Sequence, residues 1–372
     1  MGSLSCGIVG LPNVGKSTLF NALSAAKAEA ANYPFCTIEP NVGVVAVPDE
    51  RLEKLAAVVK PERILPATIN FVDIAGLVRG ASKGEGLGNQ FLSHIREVDA
   101  VMQVARCFDD DNVIHVENRV DPVADVMTIT TELCLKDLDT VQKRAERARK
   151  SAKATGKVGE FEKKAAEVCE VLGKHLDEGK PARSLSFGDD ETATQIVREM
   201  QLLTAKPTFY VANVDEASLA APEKNKHFQA LKAFADAEGA KVVAICAAIE
   251  AQIAELDPAE RPDFLASAGL TEPGLHKLAR TAFDLLGLIT YFTAGVQEVR
   301  AWTIHRGTLA PGAAGVIHTD FERGFIKAEV IWWEDFISLG GEARAREKGK
   351  LAIEGKEYVV RDGDVMHFRF NV

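Results

Sequence analysis

The 372-residue sequence lacks the features that mark membrane, secreted and metal-cluster proteins. No run approaches the roughly eighteen apolar residues that a membrane-spanning helix needs. The first predicted strand begins almost at the N-terminus, which leaves no room for a signal peptide. The six cysteines lack the paired spacing of metal ligands and are scattered over positions 6, 36, 107, 134, 169 and 246. We therefore expect a cytoplasmic protein with reduced thiols and no membrane association.

Positive charge is also in short supply. Lys and Arg number 44 against 54 acidic residues, a net charge of −10, which argues against nucleic-acid binding over the whole surface. No apolar heptad pattern continues beyond about three repeats, so we expect a monomer. The length is sufficient for two or three domains, each with its own core.

The most informative motif present is the phosphate-binding loop GxxxxGK[ST] at residues 10–17. It lies between a short apolar strand at 5–9 and the start of a helix, which is the context that the motif requires. Backbone N–H groups of such a loop bind phosphates, aided by the helix N-terminus. Lys16 would reach the β- and γ-phosphates, and the Ser17 hydroxyl would ligate Mg²⁺. The predicted nucleotide-binding residues here are Asn13, Val14, Gly15, Lys16, Ser17 and Thr18.

A second motif, Asp-x-x-Gly, runs from Asp73 to Gly76 at the end of an apolar strand. Asp73 is predicted to hold Mg²⁺ through a water molecule, and the Gly76 N–H to meet the γ-phosphate. Between the two motifs, Thr37 lies in a loop punctuated by prolines. It is a candidate hydroxyl ligand of Mg²⁺, and its loop would close over the site only when a triphosphate is bound. The alternative is a loop threonine that bonds its own backbone.

The base-recognition tetrad is altered. An apolar strand that begins at Pro207 leads into the tetrad Asn213, Val214, Asp215 and Glu216, where GTPases carry Asn-Lys-x-Asp. The Glu216 carboxylate extends one methylene further than aspartate, so the paired hydrogen bonds to guanine should fail. Val214 offers an apolar surface to a purine. Adenine is therefore the predicted base, selected by Asn213, Val214 and Glu216. The later loop 246–248 supports only backbone contact to the base.

With these motifs the chain resembles the YchF family of Obg-like ATPases over essentially its full length. The resemblance is carried by the strings at 10–18, 32–41, 73–77, 80–89 and 213–216. It implies a P-loop nucleoside triphosphatase that uses Mg²⁺, prefers ATP over GTP and associates with the ribosome or its large subunit. The one departure is the loop 246–248, which leaves the base contacts there open.

Hydrolysis is expected to be slow without a partner. Ras-like enzymes follow Asp-x-x-Gly with a glutamine that orients the attacking water, whereas this chain has Leu77. His115, after an acidic loop, is the candidate catalytic group that orients the water; the alternative is an ordinary surface histidine. Asn13 is a candidate to assist a monovalent cation such as K⁺, as in some related NTPases.

The predicted fold class is α/β, with three parts. Residues 1–124 and 205–286 are predicted to form a P-loop NTPase G domain of the Obg type. An α-helical hairpin is inserted at 125–204, where the strand–helix alternation gives way to helices broken at Thr155 and Gly156. Residues 287–372 read mostly as strands with a short helix starting near Gly312, and they resemble the β-grasp TGS domain.

The hairpin carries the basic charge. Residues 141–165 hold nine Lys or Arg against three acidic residues, a local charge of +6, which suits rRNA phosphates through counterion release. The alternative is a solvated helix face with i,i+4 ion pairs. Phe161 is the only aromatic residue in this stretch, so base stacking is not expected. The resemblance implies that the hairpin and the TGS domain face rRNA.

Three functions follow from these observations. The first is an ATP-binding and ATP-hydrolysing switch that associates with the ribosome. The second is an Obg-type GTPase in ribosome assembly that tolerates Glu216. The third is a nucleotide-sensing adaptor with negligible turnover because of Leu77.

Overall fold

The computed structural model describes residues 4–30, 41–74, 87–110 and 119–371, and their side chains apart from those of 26–30 and 87–90. The strands within these ranges are β1 (Ser5–Val9), β2 (Val42–Ala46), β3 (Arg63–Leu65), β4 (Thr68–Asp73), β5 (Ala100–Arg106), β6 (Thr208–Asn213), β7 (Val242–Ile245), β8 (Leu288–Ala294), β9 (Glu298–His305), β10 (Phe325–Trp332), β11 (Leu351–Glu354) and β12 (Asp364–Phe370). The α-helices are α1 (Lys16–Ala30), α2 (Glu50–Val59), α3 (Leu87–Glu97), α4 (Pro122–Ser151), α5 (Lys157–Asp177), α6 (Glu191–Glu199), α7 (Glu216–Leu219), α8 (Lys226–Ala237), α9 (Ala247–Glu255), α10 (Arg261–Ser267), α11 (Gly274–Leu285), α12 (Ala310–Ile317), α13 (Thr319–Arg323), α14 (Trp333–Leu339) and α15 (Glu342–Glu347).

The first sheet has the strand order β2-β4-β1-β5-β6-β7. Its pairs are parallel except at the β2 edge, which runs antiparallel to β4. Every residue of β5 and β6 is buried, as expected for central parallel strands with apolar sequences. The carboxyl ends of β1, β4, β6 and β7 share one edge of the sheet, and ligands bind at that edge in open α/β folds.

Two long helices form the predicted hairpin. Helices α4 and α5 pack against each other, and the break between them includes Gly156 with a φ of 78°. The side chain of Asp121 caps α4 by accepting a hydrogen bond from the Ala124 N–H at 3.0 Å. Within α4 the buried Asp137 carboxylate accepts the N–H groups of Leu203 at 2.9 Å and Thr204 at 2.7 Å. Asp137 therefore ties the hairpin to the turn that leads back into the first sheet.

The second sheet has the order β11-β10-β12-β8-β9-β3. Helix α12 covers one face, where its alanines pack against Tyr291, Val330 and Met366. This is the short helix predicted near Gly312. The unexpected member is β3, which pairs in parallel with β9, with Arg63 opposite Glu298. The segment between the two phosphate-site motifs thus extends the C-terminal sheet; the division into domains stays a prediction.

One apolar core joins the two sheets. The same cluster of buried side chains contains Ile8 and Ile69 of the first sheet, Leu55 of α2, and Phe292 and Val365 of the second. In the described part of the chain the five cysteines are buried and unpaired, so they behave as small hydrophobic residues. None of the described helices combines the length and apolarity needed to cross a membrane.

Candidate nucleotide site

A cavity of about 790 Å³ opens at the carboxyl edge of the first sheet. It brings together the phosphate loop, the start of α1 and the residues that follow β5, β6 and β7. The lining residues are Leu11, Pro12, Asn13, Gly15, Lys16, Ser17, Thr18, Phe108, Asn213, Val214, Asp215, Glu216, Cys246, Ala247 and Ala248. The structure thus assembles most of the predicted nucleotide-binding residues around one space.

The phosphate loop is fixed to the hydrophobic core on one side and faces the cavity on the other. Val14 is fully buried, which fixes the loop to the core. Asn13 and Gly15 both have positive φ, 63° and 92°, a conformation that favours glycine and tolerates asparagine. The Leu19 N–H bonds the Gly15 carbonyl at 3.0 Å and so starts α1. Helix N-terminal N–H groups are therefore available at this end of the cavity.

Asn213 holds two loops of the site together. Its Nδ2 donates to the Val14 carbonyl at 2.9 Å, and its Oδ1 accepts the Ala247 N–H at 3.0 Å. The residue is 4% exposed. Asn213 therefore fixes the phosphate loop relative to the start of α9, whatever part it takes in base recognition.

Lys16 forms an ion pair with Asp73. The two side chains are 12% and 22% exposed; Lys16 lines the cavity, and the ion pair places Asp73 next to it. Since Ser17 follows Lys16 at the start of α1, one carboxylate and one hydroxyl lie beside the phosphate loop. Mg²⁺ prefers such oxygen ligands. The described residues therefore fit the predicted magnesium site.

The base end of the cavity is formed around α7. The Asp215 side chain caps this helix by accepting the Ser218 N–H at 2.7 Å. Glu216 is the first residue of α7, is exposed, and lines the cavity. Val214 also lines it, but it is 1% exposed and packs into the core with Cys107. Glu216 thus presents a polar group to the cavity, while direct contact of Val214 with a base stays a prediction.

Phe108 is a lining residue that the motifs did not reveal. It is half-buried just beyond β5. The Arg106 guanidinium lies 4.6 Å from the Phe108 ring centroid, and its Nε donates to the Phe108 carbonyl at 3.0 Å. These contacts hold the ring at the cavity. The available signal was an aromatic residue after a buried strand that ends at the same sheet edge as the motifs.

Three predicted site residues lie outside the described residues: Thr37, Gly76 and His115. Leu77 and Cys36 lie outside them as well. The roles assigned to Thr37, Gly76, His115 and Leu77 remain predictions.

Comparisons with known proteins cover both ends of the chain. A family model described as "50S ribosome-binding GTPase" matches residues 5–138. A second, YchF-GTPase_C, described as "Protein of unknown function (DUF933)", matches residues 288–371. The protein named ribosome-binding ATPase YchF of Bacillus subtilis is 54% identical over 370 residues, 100% of each chain. Its namesake in Haemophilus influenzae is 56% identical over 367 residues, 99% of each. The chain belongs to the YchF family.

A solved YchF structure agrees with the fold. The Schizosaccharomyces pombe protein, named a YchF GTPase, matches with a TM-score of 0.89 and 40% identity, covering 99% of this chain and 98% of that one. The match confirms the predicted α/β fold with its P-loop domain. The bacterial YchF relatives are named ATPases and the yeast protein a GTPase. YchF membership therefore establishes a nucleoside triphosphatase without deciding the base.

Proposed function

We propose that the chain is a Mg²⁺-dependent ATPase switch that associates with the ribosome. The observation that carries the proposal is the cavity that unites the phosphate loop with Glu216 and has Asp73 beside it through its ion pair with Lys16. The names of the bacterial relatives, ribosome-binding ATPase YchF, support both parts of it.

The phosphate end works by exchange of charge partners. When a triphosphate enters, Lys16 leaves Asp73 for the β- and γ-phosphates, and loop N–H groups bind the remaining phosphate oxygens. The freed Asp73 carboxylate would hold Mg²⁺ through a water molecule, and the hydroxyls of Ser17 and Thr37 would ligate the ion directly. Bound there, Mg²⁺ would supply charge that neutralises the phosphates. Asn13 is the residue that we assign to an accompanying K⁺.

The base end selects adenine. The exposed Glu216 carboxylate accepts a hydrogen bond from the adenine amino group, since an ionised carboxylate is an acceptor only. Its longer side chain does not reproduce the two-bond geometry that aspartate gives to guanine. Phe108 presents an aromatic face against which a purine stacks. Val214 supports the base from the buried side.

Hydrolysis is slow in this account because Leu77 cannot orient water. We assign that task to His115, with the Gly76 N–H at the γ-phosphate. An unchanged turnover number in His115→Ala at saturating ATP would remove His115 from the mechanism.

The hairpin supplies the rRNA contact. Three of its nine cations already pair with carboxylates, Lys143 with Asp139, Arg144 with Glu162 and Lys164 with Asp190. The other six are exposed, and no carboxylate pairs with them in the described part of the chain: Arg147, Arg149, Lys150, Lys153, Lys157 and Lys163. Exposed, unpaired cations at one tip favour phosphate binding over a solvated face of internal ion pairs.

The proposal also includes the arrangement of the chain. The hairpin at 125–204 interrupts a nucleotide domain formed by 1–124 and 205–286, and a TGS domain at 287–372 provides a second ribosome contact. The protein acts as a cytoplasmic monomer.

Single-turnover hydrolysis of ATP and GTP, with and without ribosomes, tests this function. We expect slow ATP hydrolysis that ribosomes accelerate, with Lys16→Ala as the control for contaminating activity. Faster turnover of GTP would favour the Obg-type GTPase. A rate equal to that of buffer under all conditions would favour the adaptor.

A further inference from the structure

A second cavity, of about 710 Å³, lies at the opposite edge of the first sheet. It touches Lys206 and Pro207, which precede β6, whereas the nucleotide cavity touches Asn213 at the other end of that strand. A six-residue strand spans roughly 20 Å, so the two cavities are separate. We call this second space the basal cavity; its walls come from the end of α3, helix α6 and the segments 183–188 and 201–207.

Among the described residues, every charged side chain that lines the basal cavity is cationic. Four of its lining residues are cationic: Arg96, Arg183, Arg198 and Lys206. The other residues that line it in the described structure are polar or apolar, and none carries a carboxylate. On a chain with a net charge of −10, such a concentration of cations without anions is unusual. A cavity with one sign of charge focuses the field on ligands of the opposite sign.

Lys206 is the most constrained of the four. It is half-buried, and its Nζ donates to the backbone carbonyls of Arg96, at 3.1 Å, and Val98. No acidic side chain bonds it within the described part of the chain. Burial lowers the pKa of Lys206, although the charge of Asp99 opposes that shift. A partly buried ammonium whose hydrogen-bond partners are neutral is stabilised by a bound anion.

The three arginines differ in how they are held. Arg183 donates to the Glu238 carboxylate at 3.1 Å and to the Tyr210 hydroxyl at 3.2 Å, so its guanidinium is fixed in the wall. Arg96 and Arg198 are exposed at the rim, and among the described residues no carboxylate pairs with either. Three of the four charges, those of Arg96, Arg198 and Lys206, therefore have no carboxylate partner in the part of the chain that the structure describes.

We propose that the basal cavity is a binding site for a phosphate-bearing anion, distinct from the nucleotide site. Arg96 and Arg198 would bind phosphate oxygens through their forked N–H groups, and Lys206 would add a point charge from the floor. The volume lies within the range of small-molecule sites. The phosphate belongs either to an RNA backbone or to a free phosphorylated compound, and the experiment below separates these sources.

Inorganic pyrophosphate is the probe. Binding is measured by calorimetry on the full chain, for wild type and for Arg96→Gln/Arg198→Gln. Because both positions are exposed, the double variant should fold normally. Arg306→Gln/Arg344→Gln removes the same charge from exposed positions elsewhere and serves as the matched control. Any binding at the phosphate loop is common to all three proteins and cancels in the comparison.

We expect a binding event that weakens about tenfold or more in the Arg96/Arg198 variant and is unchanged in the control. Acetylation of the Lys206 side-chain amine, followed by mass spectrometry, should be slowed by pyrophosphate in wild type and not in that variant. The proposal is overturned if the wild type and the double variant bind alike up to about 10 mM pyrophosphate, or if pyrophosphate leaves Lys206 unprotected.

A single-stranded oligouridine distinguishes the two sources. If it displaces pyrophosphate and protects Lys206, the site takes RNA backbone phosphates. If pyrophosphate protects Lys206 and the RNA does not, the ligand is a free phosphorylated compound.

Discussion

The amide nitrogen of Asn213 occupies the space that a side chain on Gly15 would need. A Cβ atom built on Gly15 would lie 2.1 Å from Asn213 Nδ2, and that nitrogen already donates to the neighbouring Val14 carbonyl. Gly15 also has a φ of 92°. The glycine of the phosphate loop is therefore required both by its backbone conformation and by an asparagine from the base-recognition tetrad.

Two substitutions test this relationship. In Gly15→Ala the methyl group should displace Asn213, and in Asn213→Ala the Val14 carbonyl loses its donor. Each should weaken ATP binding by about tenfold or more, or 1.4 kcal/mol, because the phosphate loop is no longer fixed to α9. Gly239→Ala is the matched control, since Gly239 has a φ of 69° but no atom near a built Cβ. Equal affinity of Gly15→Ala and Gly239→Ala would contradict the account.

The second prediction concerns the link between α2 and the C-terminal sheet. Arg51 bonds Asp49 at 2.7 Å and Asp362 at 3.1 Å, and its guanidinium lies 5.3 Å from the Phe292 ring centroid. Arg51→Gln should lower the free energy of unfolding by about 1–3 kcal/mol, the usual cost of losing charged hydrogen bonds. Urea denaturation measures the change.

Lys54→Gln on the same helix is the control for that change. Among the described residues Lys54 pairs with Glu50 alone, and both side chains are largely exposed. Such a surface pair contributes about 0–1 kcal/mol. If the two substitutions lower the free energy of unfolding equally, the contacts of Arg51 stabilise the protein no more than a surface ion pair does.

The third prediction concerns salt. Replacing Lys150, Lys153 and Lys157 with glutamine should weaken ribosome binding and flatten the slope of log affinity against log salt by about 2–3. The control is Lys143→Gln/Lys174→Gln, whose ammonium groups are engaged by Asp139 at 2.7 Å and Glu170 at 3.0 Å. Sedimentation with ribosomes over a salt series measures the affinity and its salt dependence for the triple variant and the control. Unchanged binding of the triple variant would exclude the hairpin tip as a contact.

The fourth prediction is a pH dependence that arises from Glu250. Its buried carboxylate accepts the N–H groups of Gly274 at 2.7 Å and Leu275 at 3.2 Å. Burial raises the pKa of Glu250 above the ordinary 4.5, and those hydrogen bonds only partly oppose the shift. The folded protein therefore holds this proton more tightly than the unfolded chain. The unfolding free energy should fall as pH rises from 4.5 through the raised pKa, then level off.

Urea unfolding of wild type and Glu250→Gln over this range isolates the contribution. The variant should show a shallower decline, whatever its absolute stability. Glu255→Gln, an exposed site on the same helix, should retain the wild-type slope. Identical slopes in all three proteins would show that Glu250 does not titrate as described.

The sequence was most predictive where chemistry is local. A phosphate loop needs its strand, glycines and helix in immediate succession, so β1 and α1 could be recognised from one short string. The hairpin break at Gly156 and helix α12 were predictable for the same reason, because turn chemistry and periodicity act over a few residues.

Contacts between distant segments were not predictable. β3 is three residues long, with Arg63 and Ile64 exposed, so neither its existence nor its pairing with β9 leaves a periodic signal. The burial of Val214 depends on the packing around Cys107, and the basal cavity draws cations from positions 96 to 206. The pairing of β3, the burial of Val214 and the basal cavity all depend on tertiary packing, which cannot be inferred from a single sequence.

The most direct test of the central claim is a parallel titration of fluorescent ATP and GTP analogues, with Mg²⁺, into wild type and Glu216→Asp. We expect ATP to bind about tenfold tighter than GTP or more in wild type, a gap above about 1.4 kcal/mol, and the preference to shift toward GTP in the variant. Equal affinities, or a preference of the wild type for GTP, would mean that Glu216 does not select the base and that the GTPase interpretation is correct.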